Sequence, residues 1–225
     1  MFKFVGSHQK YEKRRFIHSL VFPMIMLLVM FIVQLLSYLE NWDIYYLGVK
    51  PLSIKGLPGI VFSPVIHSNW QHFFNNATAF TILAVSLFYF YRQIAYRVFF
   101  VIYILSGVSL WFGGRDAWHI GASGIVYGLA AFLLFSGIIR RHIPLMSVAL
   151  FVIFLYGSLV WGMFPLADNM PHSWEGHLWG FLAGVIAAIV YRKDGPQRPH
   201  SPFIEDEEDQ EGPFYWDLPS NEESE

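Results

Sequence analysis

Apolar residues along this chain gather into long blocks, and polar residues sit at the ends of those blocks instead of alternating through them. A bilayer core of about 30 Å is crossed by about 20 apolar residues in helix. On that measure the pattern predicts spans at 16–39, 70–91, 97–112, 123–139, 145–163 and 177–191. The fourth and sixth are short, and the fourth starts among glycines. Irregular backbone at membrane depth is tolerated only where protein or a water-filled cavity satisfies it, so short polar-tipped helices point to a wet pocket. The expected fold is an all-α, six-helix membrane bundle. The run from Phe16 to Leu39 is too long for a signal-peptide core and reads as a mature span. A long connection at 40–69, with Trp42, Tyr45, Tyr46 and Phe62, has no span of its own. Loops of that length in compact proteins are functional or partly embedded.

Composition agrees with the blocks. Apolar residues make up 55% of the chain and charged ones 14%, against about 25% charged in soluble domains. That is too few charges to cover a water-facing surface. The net charge of −2 hides a split, because eleven of the seventeen acids lie from Asp194 onward. Overall charge therefore gives no case for nucleic-acid binding. Twelve of the fifteen cations fall on one side of an alternating six-span path, and only Lys50, Lys55 and Arg115 fall on the other. The positive-inside rule then puts both termini in the cytoplasm, with the bacterial inner (plasma) membrane as the expected site if the source is bacterial. Three units follow: a basic segment at 1–15, a membrane domain at 16–192, and an acidic tail at 193–225 whose composition predicts disorder. The chain has no cysteine, which excludes disulfides, thiolate metal sites and cysteine nucleophiles.

Spans two, four and six run in the same direction, and each opens on a polar cluster. The clusters are His67 to Asn76, His119 to Gly128, and Trp174 to Gly184. His72 and Asn76 are four apart, as are Ser123 and Tyr127, so each pair shares a helix face. Gly124 with Gly128, and Gly180 with Gly184, are small-xxx-small pairs that let helix backbones approach closely. Close approach of spans four and six would bring Ser123 to His177. A serine hydroxyl becomes a nucleophile when a base takes its proton, and imidazole suits that task near neutral pH. Asn76, His72 and the Ser123 backbone N–H are then candidate donors to an oxyanion. Glu175 lies two residues from His177 and faces elsewhere, so a dyad is expected, with the Tyr127 ring as a candidate support for the imidazole. His119 and His172 read as interfacial loop residues. Five histidines (His67, His72, His119, His172 and His177) invite a metal, but no H-E-x-x-H and no close carboxylate accompany them, so neither metal nor cofactor is expected. No span holds an aspartate, which argues against an aspartyl protease.

The chain resembles the rhomboid family of intramembrane serine proteases. The resemblance rests on G-x-S-G at Gly121 to Gly124, H-x-x-x-N at His72 and Asn76, and H-x-x-G-x-x-x-G at His177, Gly180 and Gly184, and it covers about residues 15–192. It implies a Ser123–His177 dyad, oxyanion donors at Asn76, His72 and the Ser123 amide, Tyr127 packed on His177, and His67 near the mouth of a cavity open to the outer side. Its implied partners are transmembrane protein substrates in the lipid bilayer. Many members carry a Trp-Arg pair in the first outer loop, which this chain lacks. Two other functions compete: an inactive relative that binds transmembrane clients, and a small transporter. Inactive relatives usually lack the serine or the histidine, and a transporter would show paired ionisable residues at mid-membrane and an internal repeat.

Overall fold

The structure, a computed structural model, describes residues 2–141, 146–147, 150–151, 154, 161–164 and 173–197. Among them are five long helices and no strand: α1 (Phe2–Leu39), α2 (Trp70–Phe90), α3 (Ala95–Gly113), α4 (Ser123–Ile139) and α5 (Trp174–Val190). The predicted fourth span coincides with α4, and the others shift by one to three residues at their ends. The exception is α1, which begins fourteen residues before the expected start of the first span. Residues 2–15 of the expected basic N-terminal segment belong to the same helix. At 1.5 Å per residue such a helix is about 57 Å long, well beyond a bilayer core. In its first half Arg15 donates to the Tyr89 carbonyl at 2.9 and 3.1 Å, and Tyr89 donates to Glu12 at 2.8 Å. The expected span at 145–163 lies largely outside the described residues, as do His172 and the acidic tail beyond residue 197.

Among the described residues three helices are long and apolar enough to cross a membrane. Only 17% of the most apolar stretch of α1 is buried, against 50% for α2 and 44% for α3. So α1 is peripheral and shows Ile25, Leu28, Ile32 and Leu36 outward. An apolar surface of that extent suits hydrocarbon and not water. The core lies among α2, α3, α4 and α5, where Phe80, Leu83, Leu87, Phe99, Ile102, Leu129 and Phe132 are fully buried. Phe22 of α1 stacks on Phe88 of this cluster at 4.9 Å.

The two shortest of these helices make the tightest pair. A Cβ placed on Gly180 would lie 2.1 Å from the Gly124 carbonyl oxygen, and one on Gly184 would lie 2.1 Å from that of Gly128. No side chain fits at either point, so the small-xxx-small pairs are what let α4 and α5 touch backbone to backbone.

The first loop is tied down by bonds that periodicity does not reveal. Val49 and His119 exchange backbone hydrogen bonds at 2.9 and 2.8 Å. The Trp111 indole donates to the Ser53 carbonyl at 2.9 Å, and Leu52 N–H donates to the Trp111 carbonyl at 2.9 Å. The Tyr103 hydroxyl donates to the Val61 carbonyl. These contacts hold the loop without a Trp-Arg pair. At the opposite end of the bundle, Arg140 donates to Ser136 Oγ (2.9 Å) and to the carbonyls of Tyr191 (2.5 Å), Asp194 (2.6 Å) and Pro196 (2.7 Å). It thereby caps the C-terminus of α5, where helix carbonyls lack partners and a cation is favoured.

Candidate active site

The polar clusters that open α2, α4 and α5 meet at one end of the bundle. Ser123 is the first residue of α4 and His177 lies in the first turn of α5. The glycine contacts bring these turns together, and Ser123 Oγ lies 2.9 Å from His177 Nε2. On the other side of the ring, Nδ1 is 2.9 Å from the Gly162 carbonyl. A carbonyl only accepts, so this contact puts the ring proton on Nδ1 and leaves Nε2 a lone pair aimed at the serine hydroxyl. The Tyr127 ring stacks on the imidazole, with centroids 4.3 Å apart and planes 10° from parallel. The ring is thus fixed about its axis by Gly162 and in its plane by Tyr127.

Opposite the histidine, α2 supplies two side chains. Asn69 caps the helix by accepting from His72 N–H at 2.8 Å, which sets the first turn and points the His72 side chain inward. Ser68 Oγ lies 3.2 Å from His72 Nδ1 and accepts from Asn69 Nδ2 at 3.3 Å. A hydroxyl proton directed at Nδ1 leaves His72 Nε2 as an N–H donor. Gly121 shows where that donor points. A Cβ there would lie 2.7 Å from His72 Nε2 and 3.6 Å from Asn76 Nδ2. Gly121 also has φ +108°, a conformation glycine adopts without strain. Two side-chain donors therefore converge over the backbone just before Ser123, beside the free N–H groups of the first turn of α4. Asn76 is buried, and its Nδ2 has no hydrogen-bond partner among the described residues. A buried donor left unpaired is costly unless something else is meant to take it.

His67 packs edge-on against His72 at 5.1 Å and against Phe73 at 5.6 Å. Burial, reinforced by the neighbouring His72, pushes His67 down to about 3, so it stays neutral. Glu175 is buried, with one carboxylate oxygen 3.7 Å from Arg115, and it does not orient His177. His119 corrects the expectation of an interfacial loop residue. It is 3% exposed, and burial above all lowers its pKa. A small cavity of about 30 Å³ beside Ser123 is bordered by Ser106, Gly124, His119 and Ser173. Among the described residues no three His, Cys, Asp or Glu side chains gather into a metal-binding group.

Sequence reasoning missed Gly162, whose carbonyl accepts from His177 Nδ1. No residue type announces a backbone acceptor, so no signal was available. It also missed Ser68 as the partner of His72, although a serine before an Asn cap is a fair hint.

Comparison with known proteins matches the rhomboid domain family to residues 56–194, a stretch that includes both Ser123 and His177. An uncharacterized protein of Mycobacterium tuberculosis is 34% identical over 182 residues, 76% of this chain and 73% of that protein. One from Mycobacterium bovis gives the same figures. One from Mycobacterium leprae is 32% identical over 180 residues, covering 76% of this chain and 69% of its own length.

Proposed function

Because the chain belongs to the rhomboid family and is an integral membrane protein, we propose that it is a serine endopeptidase cutting transmembrane proteins within or beside the bilayer. The observation that carries this reading is the 2.9 Å contact from Ser123 Oγ to a His177 ring already oriented by Gly162. In the proposed reaction His177 Nε2 takes the hydroxyl proton as Ser123 Oγ bonds to the scissile carbonyl carbon. The carbonyl electrons move to oxygen, and the oxyanion forms opposite His177, toward His72 Nε2, Asn76 Nδ2 and the Ser123 N–H. His177 then gives its proton to the departing amine and the C–N bond breaks, leaving an ester on Ser123. Water attacks the ester, its proton passes to His177 and back to Ser123 Oγ, and the acid product leaves.

The reading includes six spans with both termini cytoplasmic, and a basic start, membrane domain and acidic tail divided at 1–15, 16–192 and 193–225. On this path the Ser123 end faces the outer side, where a wet cavity admits water and an unwound stretch of substrate. His67 stands near its mouth and takes no proton in the reaction. An inactive client-binding protein would have no use for an oriented imidazole. Labelling with a fluorophosphonate separates the two. Wild type should label at Ser123 and cleave a model transmembrane substrate, while Ser123→Ala and His177→Ala should do neither. Cleavage by Ser123→Ala would end the protease reading.

A further inference from the structure

The Ser123–His177 contact has a counterpart one helical turn away. His119 stands four residues before Ser123, and Ser173 four residues before His177. His119 Nδ1 lies 2.6 Å from Ser173 Oγ, and the two contacts join residues separated by the same 54 positions. The residue types are exchanged, so histidine is on the α4 side of one contact and on the α5 side of the other.

Each proton in this second contact can be placed. His119 Nε2 is 3.1 Å from the Arg115 carbonyl, which only accepts, so Nε2 carries the proton and Nδ1 accepts. Ser173 then donates its hydroxyl proton to Nδ1, while its oxygen accepts Gly176 N–H at 3.0 Å as the N-cap of α5. The His119 backbone is itself pinned on both sides by Val49. A continuous chain of hydrogen bonds thus runs from the first loop through the segment leading to Ser123 and into the first turn of α5. Gly176, which receives it, is the residue before His177.

Resting on the Ser–His reading above, we propose that His119 and Ser173 are positioning residues that set the distance between nucleophile and base. The glycine stripe fixes the approach of α4 and α5, and Phe135 on Phe181 interlocks them farther along, but at the Ser123 end the side-chain contact between them is the flat stack of Tyr127 on His177, which resists sliding weakly. A hydrogen bond across the two helix starts supplies that register. Misplacement of about 1 Å can cost about 10²-fold in rate.

The test separates this from a plain stabilising role. Glycine is tolerated at an N-cap nearly as well as serine, so Ser173→Gly removes the hydroxyl, and with it the bond from Gly176 N–H, at little cost in helix stability. Ser173→Gly and His119→Phe should lower kcat and the fluorophosphonate labelling rate by about tenfold to 10²-fold, with KM and the thermal midpoint in detergent unchanged. His119→Asn presents an acceptor where Nδ1 lies and should recover most of the rate. In the double variant Ser173→Gly/His119→Phe the loss should not deepen. Wild-type labelling rate in Ser173→Gly overturns the proposal. So does a rate loss that follows the thermal midpoint and is not recovered by His119→Asn. If wild type itself does not label at Ser123, the protease reading fails first, whatever these variants do.

Discussion

Buried polar side chains lie at both ends of the helix bundle, and the two ends treat them differently. At one end Arg140 is nine-tenths buried and places its guanidinium on one hydroxyl and three carbonyls, while Tyr91 donates to the same Ser136 oxygen at 2.8 Å. At the other end Asn76 is as deeply buried, yet its amide nitrogen has no partner among the described residues. A saturated polar cluster stabilises the fold it sits in. An unsaturated one lowers stability and so needs another justification, here a group that arrives with the substrate. The contrast marks Arg140 as a satisfied structural group, and it supports the proposed role of Asn76 as an oxyanion donor.

Four experiments bear on that contrast. The most severe change belongs to neither end: Gly180→Leu drives a side chain into the Gly124 backbone, with even its Cβ 2.1 Å from the carbonyl oxygen. It should separate the helices and abolish both monodispersity in detergent and labelling. Arg140→Met should then cost about 3 kcal/mol of stability, because a hydroxyl and three carbonyls lose a charged donor. Its kcat should stay near wild type, and an equal fall in kcat would break the contrast. Asn76→Ala should do the reverse, lowering kcat about 10²-fold while leaving the thermal midpoint unchanged or raised. The smallest effect concerns pH. His67 is held down to about 3 in the folded protein and titrates at the ordinary 6.5 when unfolded. The unfolded chain therefore gains a proton first as pH falls, and stability present above pH 6.5 is lost between 6.5 and about 3. His67→Phe should remove on the order of 1 kcal/mol of that loss per pH unit, read as a shallower fall of the thermal midpoint between pH 6.5 and 4.5.

Much of the fold was legible because hydrocarbon imposes a simple rule on a sequence. The ends of α4 could be read directly, since glycines precede Ser123 and Arg140 follows Ile139. The start of α1 could not. Hydropathy marks where an apolar span begins, whereas the helix itself runs on through polar residues as far back as Phe2, which hydropathy does not register. That His72 shares a helix face with Asn76, and Ser123 with Tyr127, followed from their spacing of four. His119 was misplaced because a polar residue in a short loop looks exposed until its partner is known, and Ser173 is 54 positions away.

By itself the sequence determined which segments are apolar enough to enter a membrane, which helix faces carry polar groups, and which glycines allow two backbones to touch. Those are local properties, set by period and composition. Only the tertiary structure decided that His177 is held by the Gly162 carbonyl, that His72 and Asn76 converge over Gly121, and that His119 reaches Ser173. Each of these depends on a distance between segments far apart along the chain, and hydrogen bonds act over about 3 Å, a precision that periodicity does not carry.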